Sequence, residues 1–231
     1  MIKEEEFLIN LSEVRRKIEI ACSKEGRKSS EITLLPVTKN WPVDGVRYCK
    51  NSMIAKVGEN RVQEAVSKMD LIEGVEWELI GHLQSNKAKH VVGRFARVQT
   101  VDSLKLLKRL DHASRALGIK MPILLQVNAG EDPAKFGVSV EETPGLLLQA
   151  LECEGLQVDG FMTIAPFAPD DQTVASKSFC RLRNLRDRMK SESGLPLKVL
   201  SMGMSGDLEQ AVAEGSTMIR VGSSLFGNRT P

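Results

Sequence analysis

Short apolar runs alternate with longer amphipathic stretches along most of this chain. Near the start, Phe7, Ile9, Leu11, Val14, Ile18 and Ala21 recur at mostly helical spacing, which predicts a helix over roughly Glu4 to Lys24. Eight candidate strands follow. ITLLPVTK ends at Lys39, MIAKVGEN near Asn60, EWELIGHL near His82 and ARVQTVDS near Asp102. PILLQVNA ends near Asn128, LQVDGFMTI near Thr163, LKVLSMGM near Ser205 and STMIRVGS near Gly222. Most are rich in apolar and β-branched residues, as parallel strands covered on both faces should be. Between them the spacing predicts helices over roughly Val43–Asn51, Arg61–Met69, Asn86–Gly93, Ser103–Leu117, Val140–Leu151, Asp171–Ser191 and Asp207–Ala213. Strand–helix alternation implies right-handed βαβ units and a parallel sheet. Eight units in 231 residues, with no linker or repeat, predict one α/β domain over residues 1–231, a closed (β/α)8 TIM barrel with an extra N-terminal helix. A doubly wound open sheet is the alternative.

Composition narrows the function classes. Apolar residues make up 42% and charged residues 27%, enough for a sizeable core. The formal net charge is +2 with basic residues spread along the chain, so no nucleic-acid partner is expected. The acidic start, MIKEEEFLIN, lacks the order of a signal peptide, and no apolar run approaches the ~20 residues of a membrane span. No membrane partner and a cytoplasmic address are therefore expected. Cys22, Cys49, Cys153 and Cys180 form no C-x-x-C pair and read as reduced thiols in or near packed structure. His82, His90 and His112 lack metal-pairing motifs, so no metal is expected. Dinucleotide, P-loop and serine-elbow motifs do not occur.

Candidate chemistry collects at strand ends. Lys39, Asn60, His82, Asp102, Asn128, Thr163, Ser201, Ser205 and Arg220 all fall at or near C-terminal ends, which converge on one mouth of a barrel. Lys39 follows LLPVT; facing inward it would be partly desolvated, leaving a nucleophilic amine suited to a Schiff base with an aldehyde. A surface lysine just past the strand fits the same residues. SMGMSGDLEQA and IRVGSSLFGN read as strand, glycine turn and helix, the loops where barrels often bind phosphate. There Gly203, Gly206 and Gly222 permit close backbone approach and Ser205, Ser223 or Ser224 add hydroxyl donors, although Ser205 could simply cap the next helix. Arg220 shares a strand side with Gly222 and needs a partner, either a heteroaromatic nitrogen or a carboxylate such as Asp207 or Glu59. Asn60 with Gln63 comes close to a capping box, and His82 alone reads as a structural histidine.

Taken together, VTKNWP around Lys39, VGENRVQE at 57–64, WELIGHLQSNK at 77–87, VQTVDS at 98–103, LLQVNAGEDPAKFG at 124–137, GFMTIAP at 160–166 and the block 200–227 resemble the pyridoxal phosphate homeostasis proteins. The matches run in order from near residue 32 to the end. The resemblance implies a barrel like the N-terminal domain of alanine racemase, holding pyridoxal 5′-phosphate (PLP) as an internal aldimine on Lys39. It further implies phosphate contacts from Ser205, Gly222 and Ser223 with Met204 alongside, Arg220 facing the pyridine nitrogen, and Asn60 and His82 around the cofactor. The family commonly reads K-T-K-P at the lysine, whereas this chain has Thr38-Lys39-Asn40-Trp41-Pro42, a departure that bears on the loop beside the lysine.

Two function classes follow. An amino-acid racemase of this fold uses a second base, a tyrosine from an added domain; here the only tyrosine is Tyr48, in the helix after the first strand. A carrier or regulator of PLP needs no such base, and the resemblance implies that class, with no catalytic residue assigned and PLP-requiring apo-enzymes as possible recipients. A Schiff-base aldolase would need an acid/base pair beside Lys39, and none is evident. The barrel exterior shows no long apolar stripe, and a monomer is expected.

Overall fold

The computed structural model describes residues 2–227. Helix α1 (Glu4–Lys24) precedes eight strands: β1 (Thr33–Pro36), β2 (Lys56–Glu59), β3 (Glu76–Leu79), β4 (Arg97–Val101), β5 (Met121–Gln126), β6 (Leu156–Met162), β7 (Val199–Ser201) and β8 (Met218–Val221). Between them lie α2 (Val43–Asn51), α3 (Val62–Met69), a 3-10 helix (Ser85–His90), α4 (Leu104–Ala116), α5 (Thr143–Leu151), α6 (Gln172–Ser193) and α7 (Leu208–Ala213); the short α8 (Ser223–Phe226) follows β8. All strand pairs are parallel and neighbours in sequence pair, with β8 returning to β1. The last seam closes just past the end of β1, where Val37 bridges to Gly58 of β2 and Thr38 N donates to Gly58 O at 3.0 Å. The barrel is therefore closed rather than an open sheet.

Alternation along the strands divides two cores. Leu35, Val37, Ile80 and Met218, with Val199 against them, pack inside the barrel. Leu34, Trp77, Leu79, Ile219 and Val221 face out and join the larger layer under the helices. A one-residue slip would exchange these sets, so burial on both faces fixes the register. Helix α1 packs across α7 and α8. Phe7 stacks on Phe226 with centroids 5.4 Å apart, and Asn10 Nδ2 donates to Leu225 O at 3.0 Å. The extra helix thus braces the element that follows the last strand.

Two expected helices differ from the sequence pattern. The stretch expected over Asn86–Gly93 forms a 3-10 helix, Ser85–His90, with i to i+3 bonds such as Lys87 N to Gln84 O. It ends at His90, and Gly93, at φ 81°, follows three residues later in a left-handed conformation that does not continue a helix. Helix α5 starts at Thr143 rather than Val140: Ser139 and Glu142 bond each other reciprocally across the preceding turn, but Pro144 has no N–H to donate back to Val140.

Candidate cofactor-binding site

Leu35 and Val37 point into the barrel, and strand alternation carries Lys39 to the same side, at the mouth, where it is half-buried. The neighbouring strand fixes what stands beside it: Val37 N donates to Val221 O at 2.8 Å, so the chain leading to Lys39 runs along the Val221–Gly222 step.

Arg220 lies on β8, opposite Leu35 in register, and is 3% exposed. Its Nη1 donates to Ser201 O at 2.8 Å and Ser201 Oγ at 2.7 Å, and its Nη2 donates to Thr163 O at 2.8 Å. All these acceptors are neutral. The two carboxylates considered as partners do not hydrogen-bond it: Asp207 acts on it only through space, and Glu59 lies on the outer face of β2, bonded to Thr38 and Lys68. Burial lowers the Arg220 pKa to about 10, with Asp207 opposing the shift, so the guanidinium remains charged at neutral pH. Behind it a polar thread enters the barrel interior. Ser201 Oγ donates to Gln99 Oε1 at 2.6 Å, Gln99 Nε2 donates to Glu78 Oε2 at 2.6 Å, and Arg97 joins Glu78 to Asp159. Sequence reasoning missed this thread, because its members come from different strands and share no motif.

The loops after β7 and β8 meet as expected. Ser205 Oγ accepts from Ser224 N at 3.3 Å, tying the β7–α7 loop to the start of α8. The N-cap of α7 is Asp207, so Ser205 does not serve as that helix's cap. Asp207 Oδ1 instead accepts from Met204 N at 2.6 Å and shapes the loop; burial pushes its carboxyl above the usual range, against the Met204 bond and the charge of Arg220. Gly222 and Ser223 sit at the start of α8, and Met204 is 37% exposed at the rim.

Asn60 and Gly81 stand at the ends of β2 and β3, so close that a Cβ on Gly81 would fall 2.1 Å from Asn60 O. Asn60 is not the cap of α3: that position is Arg61, and it makes no side-chain cap bond. His82 is engaged at the rim, its Nδ1 3.3 Å from an Asp102 carboxylate oxygen and its ring stacked on Phe136 at 3.9 Å between centroids. Phe136 belongs to the loop after β5, which closes on itself through Val127 and Val138. That stack was not legible in the sequence, since the two residues lie on different loops. Lys39, Arg220, Ser205, Gly222 and Ser223 gather on the β1–β8–β7 side, Asn60 stands beside them on β2, and His82 and Met204 occupy the rim.

The family model for the N-terminal domain of alanine racemase matches residues 9–230. A curated relative from Aquifex aeolicus, named pyridoxal phosphate homeostasis protein, is 36% identical over 221 residues, covering 95% of this chain and 96% of its own. The chain belongs to the pyridoxal phosphate homeostasis proteins. The solved structure of PipY from Synechococcus elongatus with PLP bound superposes with a TM-score of 0.80 at 34% identity, covering 91% of this chain and 99% of that one. An alanine racemase from Clostridium difficile, at 14% identity, shares the fold with a TM-score of 0.78; this chain spans 58% of its length. Among the described residues no helix is long and apolar enough to cross a membrane.

Proposed function

We propose that this chain is a single PLP-binding domain over residues 1–231 that attaches the cofactor covalently at Lys39 and works in intracellular PLP homeostasis as a carrier or regulator. The observation that carries the reading is a buried arginine on β8, hydrogen-bonded only to neutral oxygens, beside the segment that continues β1 to Lys39. Bound PLP supplies an aldehyde, a phosphate dianion and a pyridine nitrogen. Lys39 Nζ would take the aldehyde. Ser205 and the backbone at Gly222 and Ser223 would receive the phosphate, with Met204 beside them. Arg220, charged at neutral pH, would donate to the pyridine nitrogen and so keep a proton off it, which weakens the ring as an electron sink. Asn60 and His82 would line the remaining sides.

Binding without turnover fits this arrangement. The one tyrosine, Tyr48, stands in α2 against Phe7 in the outer layer, 5.9 Å between ring centroids, away from the mouth. The reading extends to a cytoplasmic monomer that passes PLP to apo-enzymes. The test is an absorbance spectrum of the purified protein before and after borohydride, with peptide mapping of the reduced product. A cofactor band that becomes a stable adduct on Lys39 is expected. No band after added PLP, or an adduct on another lysine, overturns the assignment.

A further inference from the structure

Lys68 is the chain's unusual lysine: it lies in α3, 5% exposed, where ammonium groups are rarely found unless fully partnered. It is fully partnered. Its Nζ donates to Glu59 Oε1 at 2.6 Å, Glu64 Oε1 at 2.8 Å and the carbonyl of Thr38 at 2.8 Å, three donors for three acceptors. Glu59 is wholly buried at the end of β2 and also accepts from Thr38 Oγ1 at 2.7 Å. Glu64 accepts a second bond, from the backbone N–H of Asn40.

The cluster therefore grips the chain at two points that bracket one residue. The Thr38 carbonyl belongs to the peptide group before Lys39, and the Asn40 N–H to the peptide group after it. Both planes that meet at the Lys39 Cα are tied to one group of charges lying outside the barrel. Asn40 itself adopts φ 61°, a left-handed conformation that costs an asparagine about 1 kcal/mol and persists only where its surroundings hold it. Stability alone does not account for such a cluster, because a buried ion pair generally returns little net stability over an apolar replacement. Burial also pushes the Glu59 carboxyl upward while Lys68 and Thr38 pull it down, and its Oε2 has no hydrogen-bond partner.

We propose that Glu59, Lys68 and Glu64 are positioning residues that fix the backbone on both sides of Lys39 and so aim its amine into the barrel mouth. This inference rests on the reading of Lys39 as the attachment point. A fixed aim matters most for forming a bond, since a nucleophile misplaced by a fraction of an ångström loses far more reactivity than a hydrogen-bonding group loses affinity. The device should therefore act on aldehydes and be indifferent to a ligand that fills the site without reacting.

The test compares two probes on the full-length protein: PLP, and pyridoxine 5′-phosphate, which carries an alcohol in place of the aldehyde. Lys68→Met should weaken PLP about tenfold and cut the borohydride-trapped adduct on Lys39, with pyridoxine 5′-phosphate binding as it does to the parent. Glu64→Gln, which spares the Glu59–Lys68 pair, should show the same selective loss to a smaller degree, and it carries the test if Lys68→Met fails to fold. Equal losses for both probes would reduce the cluster to a structural role, and no loss for either would remove it from the site altogether. A parent protein that forms no adduct on Lys39 would overturn the cofactor assignment itself, an outcome distinct from the other two.

Discussion

The two sides of the barrel mouth are held by opposite means. On the β1 side, Lys39 is framed from outside the barrel by formal charges, Glu59, Lys68 and Glu64, acting on the peptide groups around it. On the β8 side, Arg220 is held from inside by neutral oxygens of Ser201 and Thr163 and by the Gln99 amide behind them. The difference follows from what each group must present. An amine that forms a covalent bond needs a rigid backbone, and the charges that supply it can stay out of sight of the ligand. A guanidinium that meets a ligand nitrogen must not be neutralised by a carboxylate, so its supports are dipoles. Each side accordingly puts its expensive desolvation where it does not compete with the ligand.

The sharpest way to break this comparison is Lys39→Ala. It should abolish the covalent PLP band and the borohydride adduct while leaving circular dichroism and the melting curve close to the parent's, because the charge cluster grips backbone that alanine retains. A band of undiminished intensity would mean that another lysine carries the attachment.

Arg220→Met should come next in size, and it separates stability from binding. Folding lowers the Arg220 pKa to about 10, so the folded chain holds that proton less tightly than the unfolded chain does. The penalty, about 3 kcal/mol at most, is present at every pH below 10 and is relieved as pH rises above 10. Methionine escapes it but leaves the Thr163 carbonyl unpaired, which takes back about 1–3 kcal/mol. The variant should therefore melt near the parent temperature or above it at pH 7, lose that relative advantage above pH 10, and bind PLP more weakly with an altered spectrum. A strongly destabilised variant with an unchanged PLP titration would make Arg220 a structural residue only.

Much of this molecule could be read from its sequence, and the boundary of what could not is instructive. The first helix appears over Glu4–Lys24 as its apolar spacing required, and α2 over Val43–Asn51 likewise. The closed barrel follows from eight buried runs separated by helices. The placement of Lys39, Arg220 and Ser205 at one mouth follows in turn from strand parity and loop order, both local properties. What escaped were the particular side-chain contacts that Lys68, Gln99 and Phe136 make with elements far from their own. Lys68 read as one more charge on an amphipathic helix, Gln99 as one more polar residue in a strand, and Phe136 as part of a loop. Their meaning depends on which residue lies opposite in space, and a single chain of letters carries no record of that. The capping roles considered for Asn60 and Ser205 failed for the related reason that Arg61 and Asp207, one and two residues further on, take those positions.

Ser205→Ala should weaken PLP by about 1–3 kcal/mol, the usual cost of losing a hydrogen bond to a charged group. Its hydroxyl also ties Ser224 N to the β7–α7 loop, so part of that loss should appear with inorganic phosphate as the probe. Equal PLP titration curves for variant and parent would remove Ser205 from the phosphate contacts.

The smallest expected effect sharpens the comparison most. Gln99→Met removes the amide that orients the Ser201 hydroxyl towards Arg220 and bonds Glu78 on its other side. Nothing in the ligand would touch Gln99, so the change should reach PLP only through the set of the guanidinium, weakening it by about 0.5–1.5 kcal/mol. Unlike Lys68→Met, it should weaken PLP and pyridoxine 5′-phosphate alike, because Arg220 would address the pyridine nitrogen that both share. Combining Gln99→Met with Lys68→Met then asks whether the two supports are independent. They share no hydrogen-bonding residue, so their effects on PLP affinity should add within about 0.5 kcal/mol. A coupling well beyond that would mean that the charged frame around Lys39 and the hydrogen-bonded thread behind Arg220 act as one device, and the division between the two sides of the mouth would have to be given up.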